Sequence, residues 1–367
     1  MGAFKDWSQK SIFEAVGKPR SIFSRQLYLH YTDALHISLV EYISYLSKSN
    51  YTKSSVLFCL IPSLLVAIES IISHNDNVTT VLWSIYYSLV TFFGLHVSKE
   101  SWYRFLGISD HINRLLSSEQ RDRILNYIFS TIARPVQIIV LLAGGIVSIS
   151  LLLYSSSFLD RFLTYSTTNY IQIFITGGLS SLMIYFLWLA PNFIRRLFNM
   201  GRLKLLFIYP GDTPAIKEIS YLVSSITRFT MTGAVLIIAP LFYYLIKAHA
   251  ANETIPDGFF YLITTVSTIS FLIIASLGAL SQFWLAKIIL KEKDYLLQDM
   301  GKNIDKHKAA ILKGSHKDAQ ELDAYLMLYE KIRKIKIGAI SIRIILENLF
   351  RLAITLTPMA LQFVISR

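Results

Sequence analysis

Seven stretches of the chain are apolar for long enough to cross about 30 Å of hydrocarbon. They fall near 55–73, 80–97, 135–157, 170–192, 229–247, 259–286 and 343–365. Between them the pattern changes. The segments 74–79, 158–169 and 248–258 are short. The segments on the other side are long and carry apolar residues at helical spacing. Residues 26–47 alternate in this way, which fits an amphipathic helix on a membrane surface or a helix packed in a cytoplasmic bundle. Residues 102–131 predict a helix extending the third span inward. Residues 287–313 continue the sixth span, Gly314-Ser315 breaks them, and 317–336 form another amphipathic helix before Gly338. The expected class is an all-α membrane protein with seven transmembrane helices and a cytoplasmic anchor bundle. The expected division is a cytoplasmic N-terminal region at 1–54, helices one to six at 55–286, a helical anchor at 287–342 and a last helix at 343–367.

Composition agrees with the pattern. Of 367 residues, 53% are hydrophobic and 16% charged, the latter well below the roughly 25% of soluble domains. The net charge of +12 raises the question of nucleic acid, and its distribution answers it. The segments 1–54, 98–134, 193–228 and 287–345 hold seven, six, six and thirteen Lys and Arg, or 32 of the 36. Positive charge collects on the cytoplasmic side of membrane proteins. The N-terminus is therefore expected inside and the C-terminus outside, with the cations facing anionic lipid rather than nucleic acid. No short apolar run with a cleavage site follows the polar first 50 residues, so no signal peptide is expected. The inside N-terminus is the reverse of a G-protein-coupled receptor, and neither Asp-Arg-Tyr nor Asn-Pro-x-x-Tyr occurs in the corresponding spans.

Candidate chemistry is sparse. The single cysteine, Cys59, permits no intramolecular disulfide and no Cys-based metal site. The eight histidines are scattered and none pair at i,i+4. No phosphate loop and no nucleophile elbow occurs. Neither an enzyme nor a metal or cofactor site is expected. What remains are polar residues in apolar spans, which are costly unless they face protein or water. Glu69, in the outer half of the first span, could contact a cation or ligand, reach water, or pair with a neighbouring span. Glu347 and Arg351 lie four apart at the inner end of the last span and can pair on one helix face, or face an inner vestibule. Trp83, Tyr86, Tyr87, Tyr154, Tyr170 and Tyr261 gather toward the outer side. They fit an interfacial aromatic belt or the wall of an outward-open cavity for a small organic ligand.

The last helix contains Thr355-Leu-Thr-Pro-Met-Ala-Leu-Gln362-Phe363, led by a helix and Gly338. This resembles the insect gustatory and odorant receptors and their relatives, which end in Thr-Tyr, five hydrophobic residues and Gln-Phe. Leu356 stands where that pattern has tyrosine. The resemblance implies a homotetrameric, ligand-gated, weakly selective cation channel in the plasma membrane, with the final helix of each subunit lining one pore. Carried over by position, Gln362, Phe363, Met359 and Thr355 would form the pore and gate, and the aromatic cavity among helices two to six would take the ligand. Glu347 and Arg351 would line the inner vestibule. Two other readings fit parts of the chain: a prokaryotic effector that depolarises its own cell on a cytoplasmic signal, and a secondary transporter.

Overall fold

In the computed structural model, the residues described are all except 1–11, 31–34, 49, 73–77, 160–166, 206–212, 251–256, 313–316 and 335–367. The described chain is helical, with no strand among these residues. In order the helices are α1 (Ile22–Leu29), α2 (Leu35–Ser47), α3 (Tyr51–Ile72), α4 (Val78–Leu115), α5 (Ser118–Thr131), α6 (Arg134–Leu159), α7 (Thr167–Asn199), α8 (Pro214–Ala250), α9 (Asp257–Ile311) and α10 (Lys317–Arg333). Five of them, α3, α4, α6, α7 and α9, are long and apolar enough to cross a membrane. This is the helix set of a multi-pass membrane protein. The expected fifth span, 229–247, lies within α8. The expected seventh, 343–365, lies outside the described residues, as do the pore and vestibule positions within it.

Length forces several helices beyond the bilayer. At 1.5 Å per residue, the 55 residues of α9 extend about 80 Å, against about 30 Å of hydrocarbon. The excess ends of α4, α7, α8 and α9 converge with α1 and α5. There they enclose the main apolar core, which includes Phe23, Leu27, Ile112, Leu116, Ile124, Ile194, Ile216 and Ile288.

Two sequence expectations change here. The stretch 26–47 is not one helix. Ser21 caps the start of α1, accepting from the Ser24 N–H, and His30 closes its end by donating back to Gln26 and Leu27. The stretch 102–131 does not extend the third span. Residues 102–115 are the C-terminal end of α4, the second span. A capping box then starts α5, with Ser117 and Gln120 exchanging side-chain and backbone bonds. That box re-aims the chain after α4, and the periodicity alone does not reveal it.

Packing centres on α7, which touches α3, α4, α5, α6, α8 and α9. Its closest partner is α6. A Cβ on Gly144 would lie 1.9 Å from the Ser181 hydroxyl, and one on Gly177 would lie 1.9 Å from the Ser148 hydroxyl. The two contacts mirror each other across an antiparallel pair, so both backbones approach to the limit that small residues allow. The C-terminal end of α7 is held by α9. Gly201 takes a positive φ of 88° just past the helix. The Lys291 ammonium of α9 donates to the Phe198 carbonyl at 2.7 Å, placing a cation at the negative end of the helix dipole.

Candidate functional site

Of the expected ligand-cavity aromatics, three form one cluster on α4. Trp83 meets Tyr86 edge-on at 5.7 Å between ring centroids, and Tyr86 meets Tyr87 at 6.1 Å. The Tyr86 hydroxyl crosses to α8 and donates to the Leu236 carbonyl at 2.6 Å. Tyr170 is half-buried near the start of α7, whereas Tyr154 on α6 is exposed. Tyr261 lies in α9, with its side chain outside the described residues. The structure thus brings Trp83, Tyr86 and Tyr87 together and does not join Tyr154 to them.

Glu69 has an identified role. Its carboxylate accepts the Thr168 hydroxyl at 2.6 Å and the Thr168 N–H at 3.4 Å. It therefore sits at the N-terminus of α7, where a negative charge meets the free N–H groups and the positive end of the helix dipole. Of the readings open from sequence, the structure shows the paired one.

Below Glu69 runs a ladder of polar contacts that sequence reasoning missed. Gln172 of α7 accepts the Ser84 hydroxyl at 2.6 Å, and its amide donates to the Ser84 carbonyl and the Ser88 hydroxyl. Ser88 shares a 2.7 Å bond with Ser63 of α3. One turn inward, Thr91 and Thr176 share a 2.9 Å bond. These side chains are buried. The signal was present as spacing: Ser84, Ser88 and Thr91 on one helix, Thr168, Gln172, Thr176 and Ser180 on the other, each at three- or four-residue intervals. Such a stripe lies on one helix face. At the inner end of this column, Lys99 and Glu41 pair at 3.0 Å with their side chains 13% and 1% exposed. The Lys99 ammonium also lies 3.7 Å from the centre of the Tyr51 ring.

A cavity lies elsewhere, between α4, α5, α7 and α8. It measures about 160 Å³. Residues between Val97 and Ile108 of α4, Met183 and Ile194 of α7, and Ile219 and Thr230 of α8 wall three sides, and Tyr127 to Ile132 of α5 wall the fourth. It shares no residue with the outer aromatic cluster. Three of its wall hydroxyls are directed into their own helices: Ser101 donates to the Val97 carbonyl, Thr131 to Tyr127 and Thr230 to Ile226. What faces the space is mainly Trp102, Phe105, Phe186, Phe193 and aliphatic side chains. At its rim the Arg196 guanidinium lies 3.9 Å from the Tyr127 ring centre. Burial pushes the Tyr127 hydroxyl above its ordinary pKa, and the Arg196 charge pulls against that shift.

Among the described residues no group of three or more His, Cys, Asp or Glu side chains could hold a metal ion. No protein-family model, curated protein or solved structure matches the chain.

Proposed function

We propose that this chain is one subunit of a homotetrameric, ligand-gated, weakly selective cation channel of the plasma membrane. It would have seven spans, a cytoplasmic N-terminus and an outer C-terminus. The observation that carries the reading is the sequence pattern Thr355-Leu356, five residues, Gln362-Phe363 in the apolar stretch 343–365. A glutamine in a membrane span is costly against lipid. That cost disappears if Gln362 faces an aqueous axis shared by four subunits. Phe363 and Met359 beside it would make a ring that excludes ions by dewetting until the helices splay. Thr355 would sit two turns inward on the same helix, with Glu347 and Arg351 at the inner vestibule. Two features support the reading: the bundle of membrane-length helices, and the apolar-cored body at their inner ends, which is suited to holding subunits together. The ligand, a small organic molecule, would bind near Trp83, Tyr86 and Tyr87, where the Tyr86 hydroxyl already links α4 to α8.

The test is single-channel recording from purified protein in planar bilayers, with the oligomer counted in detergent. The reading expects four-fold particles and cation currents whose gating or permeation changes in Gln362→Ala and Phe363→Ala. A monomer, or currents identical in both variants, overturns it. Currents without any added ligand, together with depolarisation of the expressing cell, would favour the effector reading.

A further inference from the structure

The geometry points to the inner cavity as a binding site for a single-chain anionic amphiphile: one acyl chain in the slot, with its carboxylate or phosphate head on Arg196. This goes beyond the channel reading and does not depend on it.

The shape comes first. Three helices line the cavity over the same eleven-residue advance: Val97 to Ile108, Met183 to Ile194 and Ile219 to Thr230. At 1.5 Å per residue the lining positions on each helix span about 16 Å along its axis. Its volume of about 160 Å³ is close to the ~150 Å³ of an engineered apolar cavity that stays dry and takes benzene. A cavity of this span and volume takes a segment of one chain, not two chains side by side. Its wall offers water little. The hydroxyls of Ser101, Thr131 and Thr230 are bonded to carbonyls of their own helices, the lining is otherwise apolar apart from Ser98 and the Tyr127 hydroxyl, and a space with few partners for water favours an apolar guest.

Position and charge select the head group. The slot begins where the apolar stretch of α4 ends, at Val97, and reaches into the inner body at Ile108 and Ile219, both core residues. It therefore lies at the junction of membrane and body, where an amphiphile already resides. Arg196 is in the last turn of α7, two residues past Ile194 of the wall. It packs on the ring of Tyr127, itself a wall residue. It has no carboxylate partner among the described residues. Arg195 beside it lies over the Trp284 ring and has no such partner either. Both are exposed. The Arg196 guanidinium, seated on the ring of a wall residue, complements an anionic head with an apolar tail.

The test uses full-length protein in nanodiscs and a long-chain fatty acid bearing a diazirine near its methyl end, with the matching neutral alcohol as control. After irradiation, labelled peptides are mapped by mass spectrometry. The expected result is labelling concentrated on residues 97–108, 183–194 and 219–230, removed by excess unlabelled oleate. Ala190→Trp fills the slot and should lower labelling by about tenfold or more, equivalent to at least 1.4 kcal/mol of lost binding. Arg196→Gln should weaken labelling by the acid several-fold and leave the alcohol unchanged. If Ala190→Trp does not fold, Ala190→Leu and the oleate competition in the native chain decide the same point. Repeating the mapping with a lysophosphatidate probe separates a phosphate head from a carboxylate. Labelling spread over the lipid-facing sides of α3 and α6 and indifferent to oleate overturns the site. Equal loss of acid and alcohol labelling in Arg196→Gln overturns the anionic head.

Discussion

Along α3 the outward side chains are Leu57, Ile61, Leu64 and Ile68, and the inward ones include Ser55 and Ser63. Along the C-terminal end of α4 and in α5 the order is reversed: Ile112, Leu115, Ile124 and Leu125 are buried, while Arg114, Asp122 and Arg123 are exposed. The same chain thus builds one region with polar groups inside and another with apolar groups inside. The physical reason is the solvent. Where lipid surrounds the helices, an apolar side chain gains nothing by turning inward, so close small-residue contacts and hydrogen bonds hold the bundle. Where water surrounds them, burial of apolar area is the driving force. The slot proposed to bind an acyl chain lies at the seam between the two regions, where an apolar wall continues past the stretch that lipid can cover.

The largest expected effect contrasts one residue from each region. Ile112 is fully buried in the inner body and Leu57 is 54% exposed on the membrane-length face. Ile112→Ala should destabilise the protein by about 2–5 kcal/mol, through lost transfer energy and the cavity left behind. Leu57→Ala should cost well under about 1 kcal/mol, since the side chain meets hydrocarbon whether or not the helix is packed. Thermal unfolding in nanodiscs, followed by circular dichroism, compares them. Equal losses would break the comparison, because they would place both positions in the same solvent.

A middle-sized effect belongs to the α6–α7 contact. Gly144→Val places a branched side chain where a single Cβ already falls 1.9 Å from the Ser181 hydroxyl. The two helices must separate, at a cost of roughly 1–3 kcal/mol by analogy with overpacked cores. Gly144→Val with Ser181→Gly should recover part of the loss if the clash is local. A disulfide-trapping assay between cysteines placed along α6 and α7 would show whether the helices have moved apart. Full stability in the single variant would remove small-residue packing as the force holding this pair.

How much of this was legible beforehand follows from what each signal encodes. The apolar runs marked α3, α4, α6, α7 and α9 because hydropathy reports solvent directly, and the helical spacing of apolar residues in 287–313 foretold the extension of α9. Helix breaks were less legible. Ser117 and Gln120 form a capping box in sequence, yet the apolar period of 102–131 continues through it and masks the turn. Aromatic residue type places a side chain at a depth in the membrane but not around the helix. Tyr154 therefore turned out exposed on α6, away from Trp83 and Tyr86. Gln172 was visible only as spacing, since its partners Ser84, Ser88 and Ser63 come from two other helices. The inner slot had no signature in the sequence, because its walls are ordinary core residues from four helices.

The smallest expected effect probes the polar ladder. Gln172→Leu removes the amide that joins Ser84 and Ser88 to α7. In water-soluble proteins an orphaned buried hydroxyl costs about 1–3 kcal/mol. Here Ser63 remains within 2.7 Å of Ser88 and 3.3 Å of Ser84, so both hydroxyls keep a partner. Hydrogen bonds between membrane helices average about 0.6 kcal/mol, with a maximum near 1.7, and the variant should fall in that range. A double-mutant cycle of Gln172→Leu with Ser88→Ala, read as unfolding free energy, isolates the pair. Coupling near zero would mean that the Gln172–Ser88 bond adds no net energy to the contact of α4 with α7. Coupling within the range, with currents unaltered in Gln172→Leu, would assign the ladder to assembly. Currents that change while stability holds would instead mean that these residues move between states, and the polar interior of the membrane region would then serve gating as well as cohesion.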